Sequence, residues 1–248
     1  MDILETAAYD RRQRRNMSCA LLFYLLPFFL SAALYFYLRT PDSPSSIIGA
    51  GVKSAPALLL AAVVVSWNGG QSLLGVAGGL IFSAVGDACL VWSDLFIHGM
   101  GAFAMAHLMY SLTFLSSRYS EKSTPSWKLY LSLIFFIVGA AFYMYIYPSL
   151  KKAPNSDLIV PGVAVYTFLI SLMGTLAIRT GHTPTVLGSL SFIVSDVALS
   201  LQLFKVIPNL EHGNSIVMVT YYLAQLLIAV GDVKAEANKN EFAKWKRS

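Results

Sequence analysis

Apolar residues fall in eight runs along this chain, at roughly 17–38, 47–66, 72–93, 99–118, 127–148, 158–179, 184–205 and 214–231. Each run lasts about 18–23 residues, and a helix rising 1.5 Å per residue needs about that many to cross roughly 30 Å of hydrocarbon. Turn chemistry punctuates the runs at Thr40-Pro41-Asp42-Ser43-Pro44, Asn68-Gly69-Gly70 and Gly181-His182-Thr183-Pro184. A membrane β-barrel would need shorter segments of about ten residues with alternating polarity, and no such period is present. The pattern predicts an all-α polytopic membrane protein, a bundle of about eight transmembrane helices. Residues 17–232 form one membrane domain in this reading, between a basic N-terminal tail (1–16) and a basic C-terminal tail (233–248).

Composition agrees. Of 248 residues, 56% are hydrophobic and only 12% are charged, about half the charged share of a typical soluble domain. The net charge of +5 does not point to nucleic acid, because the basic residues sit mainly at the ends of apolar runs, where topology signals belong. With the N-terminus placed in the cytoplasm, thirteen of the eighteen Lys and Arg fall on the inner side and four on the outer; Lys53 lies within a run. Both termini are therefore expected inside, which requires an even number of crossings. Arg11, Arg12, Arg14 and Arg15 precede a run long enough to span, so the first helix reads as an anchor and not a cleaved signal. Cys19 and Cys89 both lie in apolar runs and read as small buried residues, not as a disulfide or zinc framework.

The second half echoes the first. Leu80-Ile81-Phe82-Ser83-Ala84-Val85-Gly86-Asp87-Ala88-Cys89-Leu90 in the third run resembles Leu190-Ser191-Phe192-Ile193-Val194-Ser195-Asp196-Val197-Ala198-Leu199 in the seventh. Each is followed by a His-Gly pair, His98-Gly99 or His212-Gly213, and nine residues after each His comes a polar ring, His107 or Tyr221. Four helices separate the copies, which corresponds to two parallel four-helix repeats.

Asp87 and Asp196 carry the strongest chemical signal. A charged side chain at the centre of a membrane costs at least roughly 2.5–3.5 kcal/mol, so it faces protein or water and usually has a task. Gly75, Gly79 and Ser83 precede Asp87 at four-residue steps, a stripe of small residues that lets a neighbouring helix approach. Gly188 and Ser200 lie on the Asp196 stripe, with Ser191 and Ser195 beside it. Such stripes suit a homodimer as well as packing within one chain. Low dielectric and a nearby second carboxylate both favour the neutral acid, so one of two adjacent carboxyls can hold a proton while the other is charged. That is the arrangement for an acid and a base in one site. Helix-bridging hydrogen bonds and proton-coupled or lipid transport are the other uses of such a pair.

Lys53 stands six residues into the second run and three before Pro56. It can snorkel to the headgroups, bind a lipid phosphate or pair with an Asp. His107 and Tyr110 share a helix face at i, i+3, and Tyr221 and Gln225 do so at i, i+4, with Tyr222 adjacent. Together with the acids they suggest a polar pocket. His98, His182 and His212 sit at run ends and no paired-His metal motif occurs, so no metal or other cofactor is expected.

These residues also resemble a known family. Phe82–Trp92, Ala102–Tyr110, Ser195-Asp196, Thr220–Leu227 and the Lys53-x-x-Pro56 step are similar to the lysoplasmalogenase family of YhhN-like transmembrane proteins, nearest to its vertebrate B-type members, over about residues 17–232. The resemblance implies an enzyme of the endoplasmic reticulum membrane that hydrolyses the sn-1 vinyl ether of lysoplasmenylethanolamine or lysoplasmenylcholine. It implies a lysophospholipid as substrate and membrane lipid as surroundings, with water as co-substrate. It maps Asp87 and Asp196 onto the family's expected catalytic pair. Lys53, Ser83, His107, Tyr110, Tyr221, Tyr222 and Gln225 are then candidates for holding substrate.

Overall fold

The computed structural model describes residues 3–38, 45–116, 119, 126–207 and 213–245. Eight α-helices make up the described chain: α1 (Ile3–Leu38), α2 (Ile47–Asn68), α3 (Val76–Cys89), α4 (Phe96–Phe114), α5 (Ser126–Leu150), α6 (Ser156–Thr180), α7 (Thr183–Leu203) and α8 (Gly213–Trp245). The Thr40–Pro44 turn and His212 lie outside the described residues, as do Arg39, Arg118 and Lys122.

Local chemistry explains several boundaries. The Ser46 side chain caps α2 by accepting from the Gly49 amide at 3.0 Å. Gly181, at φ 68°, takes the left-handed conformation that ends α6 without a Cβ penalty, and Pro184 then opens α7 in its first turn, where a missing N–H costs nothing. Among the described residues, seven helices are long and apolar enough to cross a membrane.

The outside of the bundle is apolar and the inside is polar in places. Phe23, Leu30, Tyr130, Ile137 and Phe168 stand exposed, whereas Ser54, Ser83, Asp87, His107 and Gln225 are buried. Water would reverse that arrangement and lipid accepts it.

The third helix departs from expectation. The apolar run at 72–93 is not one continuous α-helix: a 3₁₀ turn at Gly70–Leu74 precedes α3, which holds 14 residues and so rises only about 21 Å. This short helix is closely packed. A Cβ on Gly75 would meet the Thr113 hydroxyl, one on Gly79 would enter the Tyr110 ring, and one on Gly86 would come within 2.6 Å of the Phe103 ring. The small-residue stripe thus seats α3 against α4 in the middle of the bundle. In α7, Gly188 closes on Ala224 and Ile228 of α8, while Asp196 turns toward α4 and α6. Both stripes are used within one chain and lend no support to a homodimer.

The halves pack alike. Successive helices α1 to α4 neighbour one another, as do α5 to α8 in the other half, except that α3 packs more fully on α2 than α7 does on α6. Across the halves, α2 packs on α8 and α6 packs on α4, the same relation with the halves exchanged. The leading helices α1 and α5 are peripheral, with much of their surface facing outward. That position corrects one expectation: Cys19, on α1, is exposed, and Cys89, at the end of α3, is only partly buried. At the other end, α8 continues as helix to Trp245, beyond the apolar run at 214–231.

Filling the α3–α4 contact should be costly. Gly79→Val is expected to destabilise the bundle by about 1–3 kcal/mol, the usual effect of overpacking, seen as a lower thermal unfolding midpoint in detergent. Gly101→Ala, at a position with nothing within 4 Å of an added Cβ, should leave the midpoint in place.

Candidate functional site

The two acids enter the bundle interior from equivalent helices, α3 and α7, and each is held by one side chain of its own half and one of the other. Asp87 accepts a hydrogen bond from the Tyr221 hydroxyl of α8 at 2.6 Å, and Lys53 of α2 places its Nζ 3.7 Å from the other carboxylate oxygen. Asp196 accepts from the Tyr166 hydroxyl of α6 at 2.6 Å, and Nε2 of His107, on α4, lies 3.3 Å from the same oxygen. His107 Nε2 is also 3.0 Å from the Tyr166 hydroxyl, so these three groups form a closed triangle. The other ring nitrogen, Nδ1, lies 3.4 Å from the Met173 sulfur.

The acids do not meet as the sequence suggested. They share no hydrogen bond, and aromatic rings stand between their partners. Phe192 stacks edge-on to both His107, at 4.8 Å between centroids, and Tyr221, at 5.5 Å; Phe103 packs on Phe192 and Tyr221 from a further side. A ring of that size needs space that two carboxylates in contact would have filled. The site is therefore two adjoining polar centres with an aromatic divider.

The remaining candidates join the Asp87 side. The Tyr110 hydroxyl donates to Gln225 Oε1 at 2.6 Å and lies 3.4 Å from the Ser83 hydroxyl. The Tyr222 hydroxyl donates to the Lys53 backbone carbonyl at 2.8 Å, near the irregularity that Pro56 imposes on α2. Lys53 does not snorkel outward; its ammonium turns inward to Asp87.

Exposure separates the two acids. Asp87 is 2% exposed, whereas the Asp196 side chain is 16% exposed and lines a cavity of about 230 Å³ between α4, α5, α6 and α7. Apart from Asp196, Tyr166 and a few hydroxyls, that cavity is walled by apolar residues such as Phe135, Phe142, Ile170 and Ile193. It adjoins a larger, more polar vestibule of about 990 Å³ that Lys53 lines. Leu90, Phe96, Leu199, Leu203 and Phe204 belong to both walls.

Sequence reasoning missed Tyr166, which had no signal beyond being one of thirteen tyrosines; its place relative to Pro161 and the apolar run gave no hint of a partner on another helix. It also missed Asp232, because the eighth run was ended one residue before it. Asp232 is fully buried and accepts from Asn68 Nδ2 at 2.7 Å and the Tyr119 hydroxyl at 3.3 Å. Asn68 closes α2 some four turns beyond Lys53, so this cluster lies at the opposite end of the bundle from the vestibule.

Taken together, fold and site define a polytopic helical membrane protein in which a partly buried acid faces an apolar cavity beside a more polar vestibule. The chain belongs to the YhhN family, whose sequence profile matches residues 48–231. It is similar to the lysoplasmalogenase TMEM86B of Sus scrofa, 37% identical over 84% of this chain and 85% of that one. It is similar also to TMEM86B of Homo sapiens, 34% identical over 88% and 90%, and to the lysoplasmalogenase TMEM86A of Bos taurus, 32% identical over 85% and 89%. No solved structure matches the chain significantly.

The Asp232 cluster should be structural. Asp232→Ala strands the Asn68 and Tyr119 donors and is expected to destabilise the protein by about 1–3 kcal/mol; thermal unfolding in detergent reads the loss, and an unchanged midpoint would contradict it.

Proposed function

We propose that this protein is a lysoplasmalogenase, hydrolysing the vinyl ether of a lysophospholipid to a fatty aldehyde and a glycerophospho-alcohol. One observation carries the reading: Asp196 is the carboxyl that lines the apolar cavity, and that cavity opens beside a polar vestibule containing Lys53. A single-chain lipid fits such a pair of spaces, with its hydrocarbon against Phe135 and Ile170, its phosphate toward Lys53, and its ether linkage at the junction. The names of the relatives support the same reading.

The chemistry then follows from the groups at hand. The Asp196 carboxyl delivers its proton to the alkene carbon remote from the ether oxygen, and the electrons of the double bond form the new C–H bond. The adjacent carbon becomes an oxocarbenium ion. The Asp196 carboxylate left behind stabilises that cation and then accepts a proton from the water that attacks it. The resulting hemiacetal passes its hydroxyl proton to the ether oxygen and breaks into aldehyde and alcohol. Carboxyl chemistry at an oxocarbenium-like centre is the same logic that serves glycoside hydrolysis. Tyr166 and His107 orient Asp196, since both reach the same oxygen.

Asp87 acts at one remove. Sealed from the cavity, it holds the Lys53 ammonium toward the vestibule and the Tyr221 hydroxyl beside Phe192, so we assign it to positioning. The endoplasmic reticulum membrane is the proposed location, from the family resemblance, and both termini are proposed to be cytoplasmic, from the thirteen-to-four bias of Lys and Arg.

Purified protein in detergent should release aldehyde from lysoplasmenylethanolamine without any ion gradient, which a transporter would not do. Asp196→Asn should lower kcat by about 10²–10⁴-fold, the usual contribution of a general acid, while still binding the uncleavable saturated-ether analogue; near-normal turnover would reject the assignment. Asp87→Asn should act mainly through a raised KM, because Lys53 loses its anchor, and an effect confined to kcat would place Asp87 at the reacting atoms instead.

A further inference from the structure

The vestibule carries charges of both signs. Lys53 stands toward its inner end, beside Asp87. Its rim includes Trp92, Ser93 and Asp94, from the short 3₁₀ segment that joins α3 to α4. Asp94 is exposed and Trp92 only partly so, which leaves the carboxylate accessible on the wall that the indole also lines. Two hydrogen bonds order this rim: the Ser45 hydroxyl donates to the Val91 carbonyl at 2.8 Å, tying the start of α2 to the segment, and the Ser93 hydroxyl donates to Asp94 Oδ1 at 3.4 Å.

We propose that Asp94 and Trp92 form the subsite for the cationic end of a lysophospholipid headgroup. This inference rests on the function proposed above and deepens it. A zwitterionic headgroup carries a phosphate near the glycerol and an ammonium or quaternary amine at its far end. The vestibule offers the complement in the same order, a cation toward the inside and a carboxylate with an aromatic face at the rim. An amine over an indole gains from the ring's negative face, and the neighbouring carboxylate adds a direct charge pair. A headgroup that ends in phosphate alone gains neither and meets the Asp94 charge as repulsion. Asp94 thus selects for an amine and against a bare phosphate monoester. Because the rim faces water, the selection is modest and weakens as salt is raised.

The test compares 1-alkenyl-glycerophosphoethanolamine with 1-alkenyl-glycerophosphate on the full-length protein in detergent. The wild type is expected to favour the amine-bearing lipid by about five- to tenfold in kcat/KM, the size of an exposed charge pair with a cation–π contact. Asp94→Asn should remove most of that preference through KM for the amine-bearing lipid, and Asp94→Lys should reverse the order of the two lipids. Trp92→Ala should weaken the amine-bearing lipid alone. A ratio that stays unchanged in both Asp94 variants, or both lipids shifting together, would overturn the proposal. Competition between the saturated-ether forms of the same two lipids reads the headgroup preference without cleavage. A wild type that binds them selectively but releases no aldehyde would refute the proposed hydrolysis and leave the subsite standing; one that cleaves both equally would do the reverse.

Discussion

A carboxylate inside a bilayer finds no water to hydrate it, and every other feature of the interior follows from that constraint. Both acids are met by protein hydroxyls at 2.6 Å, Tyr221 for Asp87 and Tyr166 for Asp196, and each gains a second partner that can bear positive charge, Lys53 or His107. Assembling those partners brings α2, α3 and α8 together around one acid and α4, α6 and α7 around the other. The cost of an unsatisfied polar group in hydrocarbon makes these arrangements mutually dependent. Small residues make them geometrically feasible, since α3 could not lie so near α4 with side chains at Gly79 and Gly86.

The two centres are built by the same scheme and differ in chemistry. Each acid takes one partner from the second helix of its own half and one from the last helix of the other half. A related exchange governs the packing of α2 on α8 and of α6 on α4. Yet the equivalent positions hold different side chains. Lys53 stands where the other half uses Tyr166, and Tyr221 where it uses His107. One centre is therefore a charge pair whose lysine reaches the vestibule, and the other is a hydroxyl–imidazole–carboxyl triangle facing a cavity. The like arrangement of the two halves sets one acid behind the vestibule and the other at the wall of the apolar cavity, with different side chains at the four partner positions.

The apolar cavity and the polar vestibule meet along Leu90, Phe96, Leu199, Leu203 and Phe204. That junction matches an amphipathic substrate, whose hydrocarbon gains from staying among apolar residues while its headgroup remains among polar ones. The acid at the wall of the apolar space sits among few other polar groups, where its electrostatic interactions are stronger than in water. The aromatic divider formed by Phe192 and Phe103 keeps the Lys53–Asp87 charges from that space.

Much of this was legible in the chain. Segment length and the absence of alternation set the helical membrane class, because crossing hydrocarbon demands a minimum apolar run in a closed hydrogen-bonding conformation. Asp87, Asp196, Lys53 and the polar rings stood out because such groups are expensive in lipid. The echo between Asp87 and Asp196 foretold equivalent helices. Tertiary structure decided the rest. It shortened the third span to α3, turned Lys53 inward, brought Tyr166 of α6 to Asp196 and set Phe192 between the two centres. Spacing along one helix reports which residues share a face, but which face meets which neighbour depends on how all eight helices bury their surfaces together.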